Sequence, residues 1–335
     1  MGKIFDYDGV PVLHTTSGDL KGYFYDGVYI YKGIPYAYAD RFQMPVPSKW
    51  DGVKDATNYG FVCPLQNQDT PNGELMVPHR YWPQDEHCQS LNIWTNKLDP
   101  EAKKPVLVWF HGGGYAAGSS IEQVAYDGVS IAKKGDSILV SVNHRLNILG
   151  YLDLSPFGEK YKNSANAGHA DMVAALQWVH DNIAAFGGDP ENVTIFGQSG
   201  GGMKVATLMN TPAADGLFQK GIIESGVYEA KVYQKEDGDG TAIVKALLKE
   251  LNLDESRWRS LRRSRIMSCQ MRTIKLRQRL LRKAAISDRD RWRTAGSAEI
   301  RSNADLRITP KRFRCWQEPT SVSLILDRLC RENMR

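Results

Sequence analysis

The sequence has no run of apolar residues near the ~18 that a bilayer-spanning helix needs, so no membrane partner is expected. The first ten residues hold one lysine and no apolar stretch of signal-peptide length. Asp6 stands where N-myristoylation needs Ser or Thr. The expected setting is therefore the cytoplasm. Cysteine is scarce, five in 335 residues. Neither the cysteines nor the histidines fall at zinc-ligand spacings, so no metal is expected. Histidine also stops early: the seven are His14, His79, His87, His111, His144, His169 and His180, and the remaining stretch has none.

Apolar patterning is strong through the first two thirds. Residues 91–95, 106–110, 138–142 and 221–224 read as strands, and 12–31 as a small hairpin sheet punctuated by Gly18, Gly22 and Gly27. Residues 41–64, with Pro45, Pro47 and Trp50, read as loop. Residues 168–186 read as a helix, with Met172, Ala175, Leu176, Val179 and Ile183 at spacings of three and four. Strands alternating with helices imply a mostly parallel sheet covered on both faces.

The chain is organised around FGGDPENVTIFGQSGGGM, residues 186–203. Residues 192–196 read as a buried strand, and a helix follows from 202. Between them lies G-x-S-x-G, Gly197 to Gly201, centred on Ser199. A strand that turns directly into a helix forces its turn residue into a strained conformation, and small neighbours let the chain fold back. The hydroxyl is then held clear at a helix N-terminus, where the dipole favours developing negative charge.

Upstream, the apolar run 106–110 ends in His111-Gly112-Gly113-Gly114-Tyr115. Serine acyl transfer passes through an oxyanion that preorganised N–H groups must meet. Gly113 and Gly114 leave their amides unshielded, and the amide of Gly200, directly after Ser199, completes the set. Taken singly, HGGGY is a tight turn and GQSGG a phosphate-binding loop. Together in this order they point to a serine hydrolase.

FGGDPENVTIFGQSGG resembles the active-site signature of the type-B carboxylesterase family, the cholinesterase-like branch of the α/β-hydrolases. GIPYA at 33–37, EHCQSLNIW at 86–94 and VNHRLNILGYL at 142–152 agree, and the resemblance runs from about residue 16 to 226. It implies an α/β-hydrolase fold, Ser199 as nucleophile, and Gly113, Gly114 and Gly200 as oxyanion donors. A small-molecule carboxylic ester would be the substrate, with no cofactor. Secreted relatives place a disulfide where Cys63 and Cys88 stand; without an export signal these two are expected as free thiols. The family also takes a Glu or Asp and then a His from later in the chain. Here no histidine follows Ser199, so the catalytic acid and His have no counterpart.

The composition changes close to Ser256. Residues 1–255 hold 3 Arg and 18 Lys against 31 acidic side chains, a net charge of −10; residues 256–335 hold 19 Arg and 3 Lys against 7, a net charge of +15. Glycine falls from 29 to 1 across the break. A basic nucleic-acid arm would pattern its arginines on one face with interleaved aromatics. Trp258, Trp292 and Trp316 are too scattered for that, so no nucleic acid partner is expected. Codon arithmetic offers another origin. Read one nucleotide earlier, codons 257–271 can spell Gln-Val-Glu-Lys-Leu-Glu-Glu-Ile-Pro-Tyr-His-Glu-Leu-Ser-Asp, an acidic amphipathic segment stopped by Pro. Codons 288–296 can spell Gly-Pro-Gly-Pro-Val-Ala-Asn-Gly-Gly, similar to the Gly-Pro-Val-x-Asp-Gly segment of type-B esterases.

The division that follows is 1–255 as the N-terminal portion of an esterase domain and 256–335 as an out-of-frame tail. The sheet is expected to stop, with an unpaired edge, after the strand at 221–224. The leading function is a serine carboxylesterase whose chain as written is inactive or very weak. The alternative is a catalytically silent cholinesterase-like binding domain.

Overall fold

The computed structural model describes residues 4–64, 82–226, 240–262 and 315–316. Short strands fill the first part: β1 (Phe5–Asp6), β2 (Leu13–Thr15), β3 (Gly18–Lys21), β4 (Tyr23–Tyr25), β5 (Val28–Pro35), β6 (Ala37–Tyr38), β7 (Val46–Pro47) and β8 (Val53–Asp55). The longer β9 (Ser90–Thr95) and β10 (Lys104–Phe110) follow, then α1 (Val129–Lys134) and β11 (Ile138–Val142). After these come α2 (Asn147–Tyr151), α3 (Ala167–Asn182), β12 (Gly188–Gln198), α4 (Gly200–Met209) and β13 (Lys220–Glu224).

The large sheet runs β1-β4-β5-β9-β11-β10-β12-β13, with a two-residue strand β14 (Cys315–Trp316) beside β13. From β11 onward every pairing is parallel; β1, β4, β5, β9 and β11 meet antiparallel. The sheet is therefore mixed, and its parallel half carries the two glycine-rich corners. Apolar alternation reveals a strand but not its direction, which depends on the connection.

Two features differ from the sequence expectation. The outer edge of β13 is paired at Gly221 and Ile222 by β14, where a bare edge was expected. Residues 46–47 and 53–55, read as loop, are strands β7 and β8, the latter running parallel to β3. Strands of two or three residues are too short to show a period.

All five residues of β11 are buried, as a strand covered on both faces requires. Val106, Val108 and Phe110 of β10, Val140 and Val142 of β11, and Val193 and Ile195 of β12 cluster with Met172, Ala175, Leu176 and Val179 of α3. The opposite face gathers Trp94, Trp109 and Leu139 against Ala132 of α1. A buried ion pair fastens α3 to the corner after β11. Arg145 donates through Nε and Nη2 to the two Asp171 carboxylate oxygens at 2.8 and 2.7 Å, and its backbone N–H adds a third bond at 3.0 Å.

The described residues fall into two units, residues 4–226 with 315–316, and residues 240–262. The second holds α5 (Thr241–Glu250) and a 3-10 helix, Glu255–Arg262, with Val244, Leu247, Leu248, Trp258 and Leu261 buried. The composition break at Ser256 falls inside that 3-10 helix. Trp292 and the reframed segments at 263–271 and 288–296 lie outside the described residues.

Candidate active site

Parallel neighbours end on the same edge of a sheet, and that is how two distant motifs meet. β10 pairs with β12 in a register that sets Phe110 opposite Gly197. The loop His111–Tyr115 therefore leaves the sheet beside the turn that carries Ser199.

Ser199 sits between β12 and α4 at φ 54°, ψ −119°, a left-handed setting that a side chain adopts only under strain. Its neighbours hold it there: Ser199 N–H donates to the Glu224 carbonyl at 2.8 Å, and its own carbonyl accepts from Met203 N–H at 3.1 Å. The need for glycine on both sides is steric. A Cβ at Gly197 would lie 2.5 Å from the Gly201 carbonyl carbon, and one at Gly201 would lie 2.1 Å from the Phe110 carbonyl oxygen. At Gly200 it would meet the Gly114 nitrogen at 2.2 Å.

Gly113 and Gly114 turn at φ 85° and 61°. Among the described residues, the amides of Gly113, Gly114 and Gly200 donate to no protein acceptor. The Gly200 amide is free because the first turn of a helix has no partner for its N–H groups. Ser199 is half-buried, and its Oγ has no hydrogen-bond partner among the described residues. Three free amides and an unengaged hydroxyl thus share one corner of the sheet.

The described histidines are occupied elsewhere. His14 pairs with Asp19 at 2.7 Å, His180 with Asp181 at 3.1 Å, and His169 Nε2 meets Thr211 Oγ1 at 2.7 Å. His87 stacks on Tyr38 with ring centroids 4.8 Å apart. His111 and His144 stack on each other at 5.1 Å, fully buried. Their Nδ1 atoms bond the carbonyls of Gly112 at 2.8 Å and Arg145 at 3.0 Å. A carbonyl only accepts, so Nδ1 carries the proton in both rings, and each Nε2 is left without a partner among the described residues. Burial, aided by the nearby Lys204, holds both rings well below the ordinary histidine range, so they are neutral. None bonds Ser199. His79 lies outside the described residues.

Cys63 and Cys88 are buried, unbridged thiols. Burial and a hydrogen bond from its neighbour Cys63 push the Cys88 thiol well up, so Cys88 is neutral and unreactive as it stands. Among the described residues, no group of three or more His, Cys, Asp or Glu side chains could hold a metal. No described helix is long and apolar enough to cross a membrane.

Sequence reading passed over Lys204. It lies on α4 five residues after Ser199, fully buried, and donates from Nζ to the His111 carbonyl at 2.8 Å. The signal was present: a single cation among Gly200, Gly201, Val205 and Leu208, all buried on the same short helix.

The parallel half-sheet with a strand–Ser–helix turn beside a glycine loop defines an α/β-hydrolase fold. The chain belongs to the carboxylesterase family, whose family model matches residues 9–287. It is 42% identical over 250 residues to the para-nitrobenzyl esterase of Bacillus subtilis (strain 168), and 39% over 251 residues to the phenmedipham hydrolase of Pseudarthrobacter oxydans. Each match covers 73% of this chain and 48% of the relative. Among solved structures, an esterase from anaerobic Clostridium hathewayi that can hydrolyse aliphatic aromatic polyesters superposes with a TM-score of 0.79 at 56% identity, covering 84% of this chain and 56% of that one. A thermophilic pNB esterase gives 0.69 at 38% identity, covering 79% and 54%. The chain thus spans about half the length of the curated relatives it matches.

Proposed function

We propose that this chain carries the nucleophile half of a serine carboxylesterase, with Ser199 as nucleophile and the amides of Gly113, Gly114 and Gly200 as oxyanion donors. The observation that carries the reading is Ser199 itself: a strained, half-buried serine whose hydroxyl is unengaged among the described residues, beside three amides that no acceptor among them uses. Oγ would attack the ester carbonyl carbon, and the carbonyl oxygen would take the negative charge within reach of those amides. Collapse would expel the alcohol and leave an acyl-enzyme, which water would then hydrolyse. Small carboxylic esters are the substrate class, and the chemistry calls for no cofactor.

The attack needs a base to take the Oγ proton. No histidine follows Ser199 in the sequence, and none of the described ones bonds it. We therefore read the chain as inactive or very weak, with at most ~10³–10⁴-fold acceleration over water from the amides and binding alone. The reversal of charge at Ser256 supports a one-nucleotide frameshift there, although the family match runs on to residue 287. The buried, unbridged Cys63 and Cys88 fit a reducing compartment such as the cytoplasm.

The test compares the chain as written with one translated from a gene whose frame is restored near codon 256. The restored protein is expected to label with a fluorophosphonate and turn over p-nitrophenyl acetate, both lost in Ser199→Ala; the chain as written is expected to do neither. Saturable turnover by the chain as written would overturn the missing-base reading. A restored protein that neither labels nor hydrolyses would favour a silent binding domain.

A further inference from the structure

The contact between the oxyanion loop and the nucleophile helix is made with almost no side chains. Gly112 lies against Gln198, Gly114 against Gly200, and Phe110 and His111 against Gly201, and the tightest approaches are backbone to backbone. Such a contact excludes bulk but has little interlocking to fix its spacing. Two side-chain hydrogen bonds bridge it: Tyr115 Oη and Thr207 Oγ1 lie 2.9 Å apart where the loop ends, and Lys204, from the second turn of α4, donates to the carbonyl of His111, the residue that begins the loop. We propose that Lys204 is a positioning residue, a buried clasp whose protonation state sets how firmly the loop of Gly113 and Gly114 is held to the helix of Ser199. The proposal rests on the serine hydrolase reading for its use, but not for its test.

Burial lowers the Lys204 ammonium to about 7, with the Glu122 carboxylate opposing the shift. The clasp therefore changes charge near neutrality. The protonated form gives the stronger bond, since charged donors bond about twice as strongly as neutral ones. The ionisable groups that act on it are Glu122, on the loop beyond the glycines, and the stacked neutral pair His111 and His144 at the ends of β10 and β11. On the remaining strands packed against α4, Glu191, Lys220 and Glu224 are exposed to solvent and Asp189 is half-buried. Lys104 of β10 is engaged with Asn96 and Asp136 at the far end of its strand.

The experiment is a pH titration of the full chain labelled with 15N-glycine, following the amide signals of Gly113 and Gly114. In the wild type both are expected to shift in one step centred near 7. Lys204→Met should abolish that step while leaving the shifts caused by exposed histidines elsewhere. Lys204→Arg, a donor that stays charged, should keep the signals at their low-pH wild-type positions throughout. Flat signals in the wild type would overturn the proposal whether or not the variants fold, and so would a step that survives in Lys204→Met. Fluorophosphonate labelling of the frame-restored protein, measured separately, reports on the hydrolase reading. Titrating amides without labelling would leave the clasp standing and sink that reading; labelling without titrating amides would do the reverse.

Discussion

Replacing Ser199 by glycine should stabilise the protein, and more than replacing it by alanine. The Oγ makes no hydrogen bond among the described residues, so Ser199→Ala removes little besides an unengaged hydroxyl and keeps the Cβ. The strain belongs to that Cβ at φ 54°, ψ −119°. A residue held in such a setting costs about 1–3 kcal/mol, which glycine avoids. Against this, glycine loses more freedom on folding, about 0.5–1 kcal/mol relative to alanine. The net expectation is that Ser199→Gly exceeds Ser199→Ala by about 1 kcal/mol, or roughly 2–4 °C in a domain of this size. Urea unfolding followed by tryptophan fluorescence reads the difference as a shift in midpoint at constant slope. An alanine variant equal to or more stable than the glycine one would show that the turn is relaxed. The geometric case for a strain-held nucleophile would then fail.

Gly201→Ala should be severely destabilising, because its Cβ would lie 2.1 Å from a backbone oxygen of β10 that cannot move without disturbing the sheet. A loss of about 3 kcal/mol or more, at the upper end of overpacking costs, is expected in the same assay, and a loss below ~1 kcal/mol would contradict the backbone contact. Lys204→Met should change how stability depends on pH. The Lys204 amine is lowered from 10.5 to about 7 on folding, so between those values the unfolded chain binds the extra proton and wild-type stability rises with pH. At full extent the rise is about 5 kcal/mol as a ceiling. About 2 kcal/mol of that rise falls between pH 7 and pH 9; the methionine variant should lack it in denaturation midpoints at those two pH values, and parallel profiles would refute the assignment.

The sequence determined what short-range pattern can carry. The apolar run ending in HGGG, the strand into Gly197–Gly201 and the small residues flanking Ser199 follow from local sterics, so the nucleophile and the glycine loop could be read before any fold was known. The lack of histidine after Ser199 and the charge reversal at Ser256 are likewise facts of composition. Tertiary structure decided what depends on neighbours distant in sequence. Only the strand order β11-β10-β12 sets Phe110 opposite Gly197 and brings the two motifs to one edge. The hairpin of β4 and β5 was legible from its glycines, but the antiparallel setting of β9 between β5 and β11 was not, because alternation has no direction. Lys204 shows the limit most clearly: in sequence it is an ordinary helical cation, and it becomes a buried donor to His111 only because α4 packs its glycine face onto β10. Periodicity reports which face of an element is apolar; which partner that face meets is fixed by chain connections and packing that no local stretch contains.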